Sequence, residues 1–206
     1  MKLRIKQICQ KNKLFLLLLC GMNLMAEQLV FQEPPEGFHP KLEVAGCFVV
    51  VGDQFLFLKQ QPFDSEANRW GVPGGRIEKG ESAVEGCIRE VYEETGIDLG
   101  ASPPHFLGKV NIRYPEVDFV YHMFEARLEC APGMILIDPA EHTEYRWMSL
   151  ETALEFPLIR GEEECIQLVY GTQMTNPWMS PSLPFPFALP CPQARVGNGN
   201  ANGNED

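Results

Sequence analysis

The chain has 206 residues, enough for one domain with a substantial core, and a formal charge of −11, which argues against gripping nucleic acid through a basic surface. Its seven cysteines (Cys9, Cys20, Cys47, Cys87, Cys130, Cys165 and Cys191) form no C-x-x-C pair and have no matching histidines, which argues against zinc. Cys47 and Cys87 lie in apolar runs and read as reduced, partly buried thiols of a cytosolic protein.

Residues 1–26 are first basic (Lys2, Arg4, Lys6, Lys11, Lys13) and then apolar, with Leu14 to Leu19 unbroken. A charged segment before an apolar one is how a secretory signal begins, and the run is too short for an ordinary transmembrane helix. Leu24 stands where a cleavage site wants a small residue, and Leu18-Leu19-Cys20 only faintly matches a lipoprotein site. The third reading is a start at Met22 or Met25. Residues 27–42, with Glu33-Pro34-Pro35-Glu36-Gly37, read as a linker, and the folded domain is expected over 43–171. Val44 to Val51 and Phe55 to Gln60 predict a hairpin turning at Gly52-Asp53. After the polar loop Pro62 to Asn68, Trp70 begins a short strand that runs into Gly74-Gly75. Such a glycine turn lets backbone approach a ligand with no Cβ in the way.

A helix is expected next. Gly80 marks a break, Ser82 and Glu85 form a capping box, and Gly96 sits where a helix ends. Val84, Cys87, Ile88, Val91, Tyr92 and Thr95 recur at spacings of three and four, the pattern of a buried stripe. Glu90, Glu93 and Glu94 stand at i, i+3 and i+4, on one face. Like charges so placed repel, and oxygen-only ligands select a hard cation such as Mg²⁺. Arg89 can fix a carboxylate by a charge-assisted hydrogen bond. Taken alone, the triplet reads more readily as a solvated acidic face.

Phe106 to Tyr114 and Val117 to Leu128 predict a second hairpin at Pro115-Glu116. The alternation from His122 to Arg127 predicts one wet face, and Glu125 on it reads as an exposed strand charge. In the loop Asp138 to Thr143, His142 reads as a plain surface histidine. Glu144 to Met148 is a further strand, Ser149 caps a helix near Leu150, and Glu162 to Tyr170 is the last helix, with Cys165, Ile166 and Val169 inward. Residues 172–206 form a tail. Prolines from Pro177 to Pro192, interleaved with Trp178, Phe185 and Phe187, prevent helix and central strand, and the Asn/Gly-rich end is expected to be disordered.

Gly75, Glu81, Arg89, Glu90, Val91, Glu93, Glu94, Gly96 and Ile97 fall on every specified position of a known pattern. The segment resembles the Nudix box, G-x5-E-x7-R-E-U-x-E-E-x-G-U, where U is a bulky aliphatic residue. The resemblance implies an α/β fold, a mixed β-sheet sandwiched between helices (an α/β/α sandwich). It implies an enzyme that cleaves a nucleoside diphosphate linked to another moiety, using Mg²⁺ or Mn²⁺ to activate water. Glu90 and Glu94 are then the main metal ligands, Glu93 completes the cluster, and the Gly74 carbonyl is a further ligand. Glu81 stands behind them and Arg89 orients the glutamates. Glu90 is the first choice of general base, with Glu141 and Glu144 as candidates outside the box. Arg69, Glu141 and Glu144 are the candidate substrate contacts, although Arg69 reads equally as a solvated arginine. The short chain and the Val72-Pro73-Gly74-Gly75 lead are similar to members that hydrolyse (d)NTPs to monophosphate and pyrophosphate. ADP-ribose or a sugar nucleotide is the alternative, a dinucleoside polyphosphate the third. A non-catalytic nucleotide sensor is opposed by the intact glutamates. Nucleotide substrates favour the cytosol, with export or anchoring through residues 1–26 as the alternative and no stable membrane span. The aromatic, proline-rich tail is a candidate homodimer contact.

Overall fold

Ten mostly apolar residues, Leu42–Val51, form strand β2, and the rest of the domain is arranged about it. The computed structural model describes residues 28–174, with side chains to 171, so the readings of residues 1–26 and of the tail after Met174 lie outside it, while 172–174 continue the last helix. β2 pairs in parallel with β7 (Asp118–Leu128) from Leu42↔Phe119 to Val51↔Leu128. Its other edge changes partners. β5 (Gly74–Arg76) covers Val44 to Gly46, and β3 (Gln54–Gln60) takes over at Val50. Where the edge divides, the Cys47 N–H donates to the Pro73 carbonyl at 2.9 Å. β3 continues to β4 (Trp70–Gly71) and β8 (His142–Met148), while β7 continues to β6 (His105–Arg113) and β1 (Val30–Phe31).

Both faces of β2 are covered, which is why it reads as a continuous apolar run. Ala45, Cys47 and Val49 share a core with Cys87 and Val91 of helix α1 (Ala83–Thr95). Phe48 and Val50 point the other way and pack with Cys165, Ile166 and Tyr170 of helix α3 (Glu162–Met174). The rings of Phe48, Phe55 and Tyr170 meet edge-on there, with centroids 5.2–6.3 Å apart. The short helix α2 (Leu150–Ala153), capped by Ser149, lies on that same side. The architecture is therefore the expected mixed sheet between helices. Among the described residues, no helix is long and apolar enough to cross a membrane.

Several local expectations change. The stretch read as a linker carries β1, which pairs Val30↔Ile112, and its Lys41 N–H donates to Asp118 O at 2.8 Å. The predicted wet face of β7 is wet at Arg127 but not before it: Met123 is buried, and Glu125 accepts from Tyr170 Oη of α3 at 2.7 Å, on the face away from α1. Both ends of α1 are as predicted, with a complete Ser82/Glu85 capping box and Gly96 at φ 72°. Its stripe is only half so: Cys87, Val91 and Thr95 are buried, but Val84, Ile88 and Tyr92 are exposed and Glu94 joins the buried face instead. A spacing of three and four fits both faces, and only the packing on β2 chooses between them.

Two acids in the described chain are almost fully buried, Glu94 and Glu162. Burial alone pushes the Glu162 carboxyl from 4.5 to about 8. Between those values the folded chain keeps a proton that the unfolded chain has lost. Stability therefore falls as pH rises from 4.5 to 8, by about 1.4 kcal/mol per unit, and levels off above. Glu162→Gln removes this slope. Thermal melts from pH 5 to 8 should show the variant gaining on the wild type as pH rises, and parallel curves would refute the buried, protonated state.

Candidate active site

Helix α1 presents the box glutamates beneath the turn that joins β4 to β5. A Cβ on Gly75 would come within 2.6 Å of the Glu90 carboxylate, and one on Gly74 would collide with the Ala45 carbonyl. The two glycines thus allow the helix, the turn and β2 to meet at one point. Glu94 reaches it from below, accepting from the Gly74 N–H through Oε2 at 2.8 Å.

Arg89 organises the rest. Its Nε and Nη2 grip Glu81 at 2.7 and 3.0 Å, and Nη2 also donates to Arg76 O at 2.9 Å. Its Nη1 holds Glu90 at 2.9 Å and Glu93 at 3.0 Å. The Arg89 fork, aided by the Glu78 N–H, holds Glu81 well below the usual carboxylate range, at about 2. Glu81 therefore stays ionised as the counter-charge that fixes Arg89.

Glu90 and Glu94 are shifted the other way. Burial raises Glu90, opposed by Arg89 and reinforced by Glu94 and Glu93. Burial likewise raises Glu94, opposed by His142 and the Gly74 N–H and reinforced by Glu141. Buried carboxylates that repel one another are what a divalent cation relieves.

The sequence did not reveal His142. It is 3% exposed, not a surface histidine, with Nε2 lying 3.0 Å from Glu94 Oε1. That distance suits an ion pair, yet neither ring nitrogen completes a well-aligned hydrogen bond. The cause of its burial is a register shift. Lys59 faces Glu144 but Gln60 faces His142, so Thr143 is an extra residue. Such a bulge re-aims side chains, and no residue pattern announces it. Ligand atoms of Glu94, Glu141 and His142 all lie within 4.8 Å of one another. This donor set, three groups with two orphaned ring nitrogens, fits a divalent cation beside Glu94.

The other candidates separate. Glu93 is 57% exposed and held by Arg89, at the edge of the group. Glu144 lies along β8, paired with Arg146 at 2.7 Å and Lys59 at 3.8 Å, and is not joined to the box carboxylates. Arg69 donates to Leu158 O at 2.7 Å and faces Glu66 at 3.7 Å, in a surface groove away from the glycine turn. On the α3 side of the sheet, Gly74 also lines a cavity of about 130 Å³.

The model of the family described as NUDIX domain matches residues 40–169. The chain belongs to the Nudix family. It is 31% identical over 108 residues to the "Putative 8-oxo-dGTP diphosphatase" of Bacillus subtilis (strain 168), covering 50% of this chain and 65% of that one. It is 34% identical over 121 residues to Nudix hydrolase 8 of Arabidopsis thaliana, covering 57% of this chain and 32% of that one. The chain thus spans less than two thirds of both these relatives. Phosphatase NudJ of Escherichia coli (strain K12) is 31% identical over 140 residues, covering 63% of this chain and 85% of that protein. Among solved structures, the MutT protein from Methanosarcina mazei Go1 superposes with a TM-score of 0.56 at 26% identity, over 66% of this chain and 97% of that one.

Arg89→Met keeps a long side chain and removes the fork. Mn²⁺ affinity measured by calorimetry should fall by roughly 10–100-fold, the usual effect of losing a group that orients metal ligands. Unchanged affinity would mean that the glutamates need no such support.

Proposed function

We propose that this chain is a divalent-cation-dependent pyrophosphohydrolase whose substrate is a (d)NTP, cut between the α- and β-phosphoryl groups to give a monophosphate and pyrophosphate. The observation that carries the reading is the convergence of Glu90 and Glu94 on Gly74-Gly75, with Arg89 holding Glu81, Glu90 and Glu93 in place. The name of the Bacillus subtilis relative points to the same substrate class.

Glu90, Glu94 and Glu141, with His142 and the Gly74 backbone, are the residues that would hold Mg²⁺ or Mn²⁺. The cation supplies screening of phosphate charge and a more acidic water. The Gly74 N–H fixes one oxygen of Glu94 and His142 faces the other. Arg89 keeps Glu90 from swinging away from its neighbours, and its guanidinium has no donor left for substrate. Glu90 is the general base in this reading: burial raises its pKa, so it accepts a proton more readily than an exposed carboxylate. Glu141, exposed at the rim beside Glu94, is the second candidate. The reading gives Arg69 and Glu144 no part in the chemistry.

Full-length protein incubated with canonical and oxidised (d)NTPs, ADP-ribose, sugar nucleotides and dinucleoside polyphosphates should release monophosphate and pyrophosphate from the triphosphates with Mg²⁺ or Mn²⁺, and nothing in EDTA. Orthophosphate release would instead support a phosphatase, the activity in the name of NudJ. Silence from folded, metal-binding protein would sink the enzyme reading.

Glu94→Gln keeps the shape of the side chain and removes one charge from the cation's surroundings. Turnover at saturating Mg²⁺ should fall by at least about 100-fold, and the rise in melting temperature on adding Mg²⁺ should disappear. Near-normal turnover would remove Glu94 from the metal site.

A further inference from the structure

The box by itself offers a cation only oxygen, from Glu90, Glu93, Glu94 and the Gly74 backbone, and such a set suits Mg²⁺. The fold adds a nitrogen. His142 is 3% exposed and stands at the head of β8, beside the end of β3. The turn that leads into it is fastened at several points. The N–H groups of Glu141 and His142 both donate to Asp138 O, at 3.2 and 2.9 Å, and the Ala140 N–H donates to Asp138 Oδ1 at 2.8 Å. From the β3 side, the Gln61 N–H donates to Glu141 O at 3.1 Å and its side chain to Pro139 O at 2.7 Å. With the extra residue Thr143, these bonds fix the backbone from which the imidazole projects.

The imidazole meets Glu94 in a way that a simple ion pair does not explain. Nε2 is 3.0 Å from Glu94 Oε1, and yet the two atoms lack the alignment of a hydrogen bond. Nδ1 has no partner either among the described residues. Buried polar groups are ordinarily satisfied, and two orphaned nitrogens on one buried ring call for a partner from outside. Two ligand atoms that stand close without facing each other can both face a third point. Their spacing indicates what belongs there. Atoms about 2.1 Å from a shared ion lie about 3.0 Å apart at the right angle of an octahedron, and about 3.4 Å apart at a tetrahedral angle. The observed 3.0 Å matches the octahedral edge. Glu141, an exposed side chain, brings a third ligand atom within 4.8 Å of the other two.

We propose that His142 Nε2 is a direct ligand of the divalent cation and that it selects a six-coordinate first-row transition ion, Mn²⁺, Fe²⁺ or Co²⁺, over Mg²⁺. The proposal rests on the metal site of the reading above and adds which cation that site prefers. With the ring proton on Nδ1, Nε2 presents a lone pair to the ion. Glu94 Oε2 stays on the Gly74 N–H, and Oε1, beside Nε2, is left for the same ion. Imidazole suits transition metals, whereas Mg²⁺ favours carboxylate, carbonyl and water and gives up its waters reluctantly. At a site bearing nitrogen, affinity rises from Mn²⁺ through Fe²⁺ to Co²⁺. Zn²⁺, which takes four ligands at tetrahedral angles, suits the spacing less well.

The test reads the metal–nitrogen bond itself, apart from turnover. Untagged full-length protein is given about half an equivalent of Mn²⁺, so that the tightest site fills first, and electron spin echo envelope modulation is recorded without nucleotide. The wild type should show the ¹⁴N modulation of a bound imidazole, replaced by the ¹⁵N pattern after labelling with ¹⁵N-histidine. His142→Gln keeps a side chain of similar reach and offers an amide oxygen in place of the nitrogen. It should lose the modulation, which excludes the other histidines, His39, His105 and His122. By calorimetry the wild type should bind Mn²⁺ and Co²⁺ at least about tenfold more tightly than Mg²⁺. His142→Gln should weaken Co²⁺ by at least about tenfold and change Mg²⁺ by less than about threefold. No nitrogen modulation in the wild type overturns the proposal whether or not the variant folds. Modulation that survives in folded His142→Gln, or a wild type that prefers Mg²⁺, overturns it too. Nitrogen coupling at His142 in a protein that hydrolyses nothing overturns only the pyrophosphohydrolase reading. Turnover of (d)NTPs without that coupling overturns only the proposal made here.

Discussion

One guanidinium sets the positions of three carboxylates. Arg89 meets Glu81 with two nitrogens and Glu90 and Glu93 with a third, and it is tied to the β5 backbone through Arg76 O. Without that fork, like charges on one turn of helix would splay toward water. With it, Glu90 is turned into the notch that Gly75 leaves open. The half-burial of Glu90 and its raised pKa follow from geometry that Arg89 and Gly75 impose, and Gly74 does the same for Glu94 through its N–H. An arginine suits this task better than a lysine, because its donors are planar and fixed in direction.

The elements legible in the chain were those whose signals are local. The capping box, the glycine after α1, the two hairpins and the cap at Ser149 each depend on a few adjacent residues, and each is present. What stayed hidden depends on residues far apart. Cys87, Val91 and Thr95 of the predicted stripe are buried in α1, but whether Val84, Ile88 and Tyr92 or Glu94 completes that face is decided by β2, since both choices have helical spacing. β1 is two residues long and is held by β6, some 80 positions onward. The wet side expected of β7 shrinks to Arg127, because Tyr170 of α3 packs beside Glu125.

The candidate site divides the same way. Glu81, Arg89, Glu90, Glu93 and Glu94 are legible because the box spaces them on one turn and its neighbours. His142 is not, because it enters through an extra residue in the β3–β8 ladder. The burial of Glu162, on the other side of the sheet, is not legible either, because an acid at the start of a helix usually serves the helix dipole in water. Only the closure of α3 against β2 and β6 takes that position out of solvent. The two buried acids also differ in company: Glu94 has a backbone N–H and an imidazole beside it, whereas Glu162 has neither.

The alternation of β2 has a consequence for how such a protein diverges. Odd-numbered residues from Ala45 to Val49 serve the helix that bears the glutamates, and even-numbered ones from Gly46 to Val50 serve the opposite layer. A lineage can therefore reshape the α3 layer, through Glu162, Tyr121 or Cys165, without moving an atom that Arg89 touches. The two layers are free to drift separately across one sheet. They meet at Gly74, the position where any change is felt on both sides.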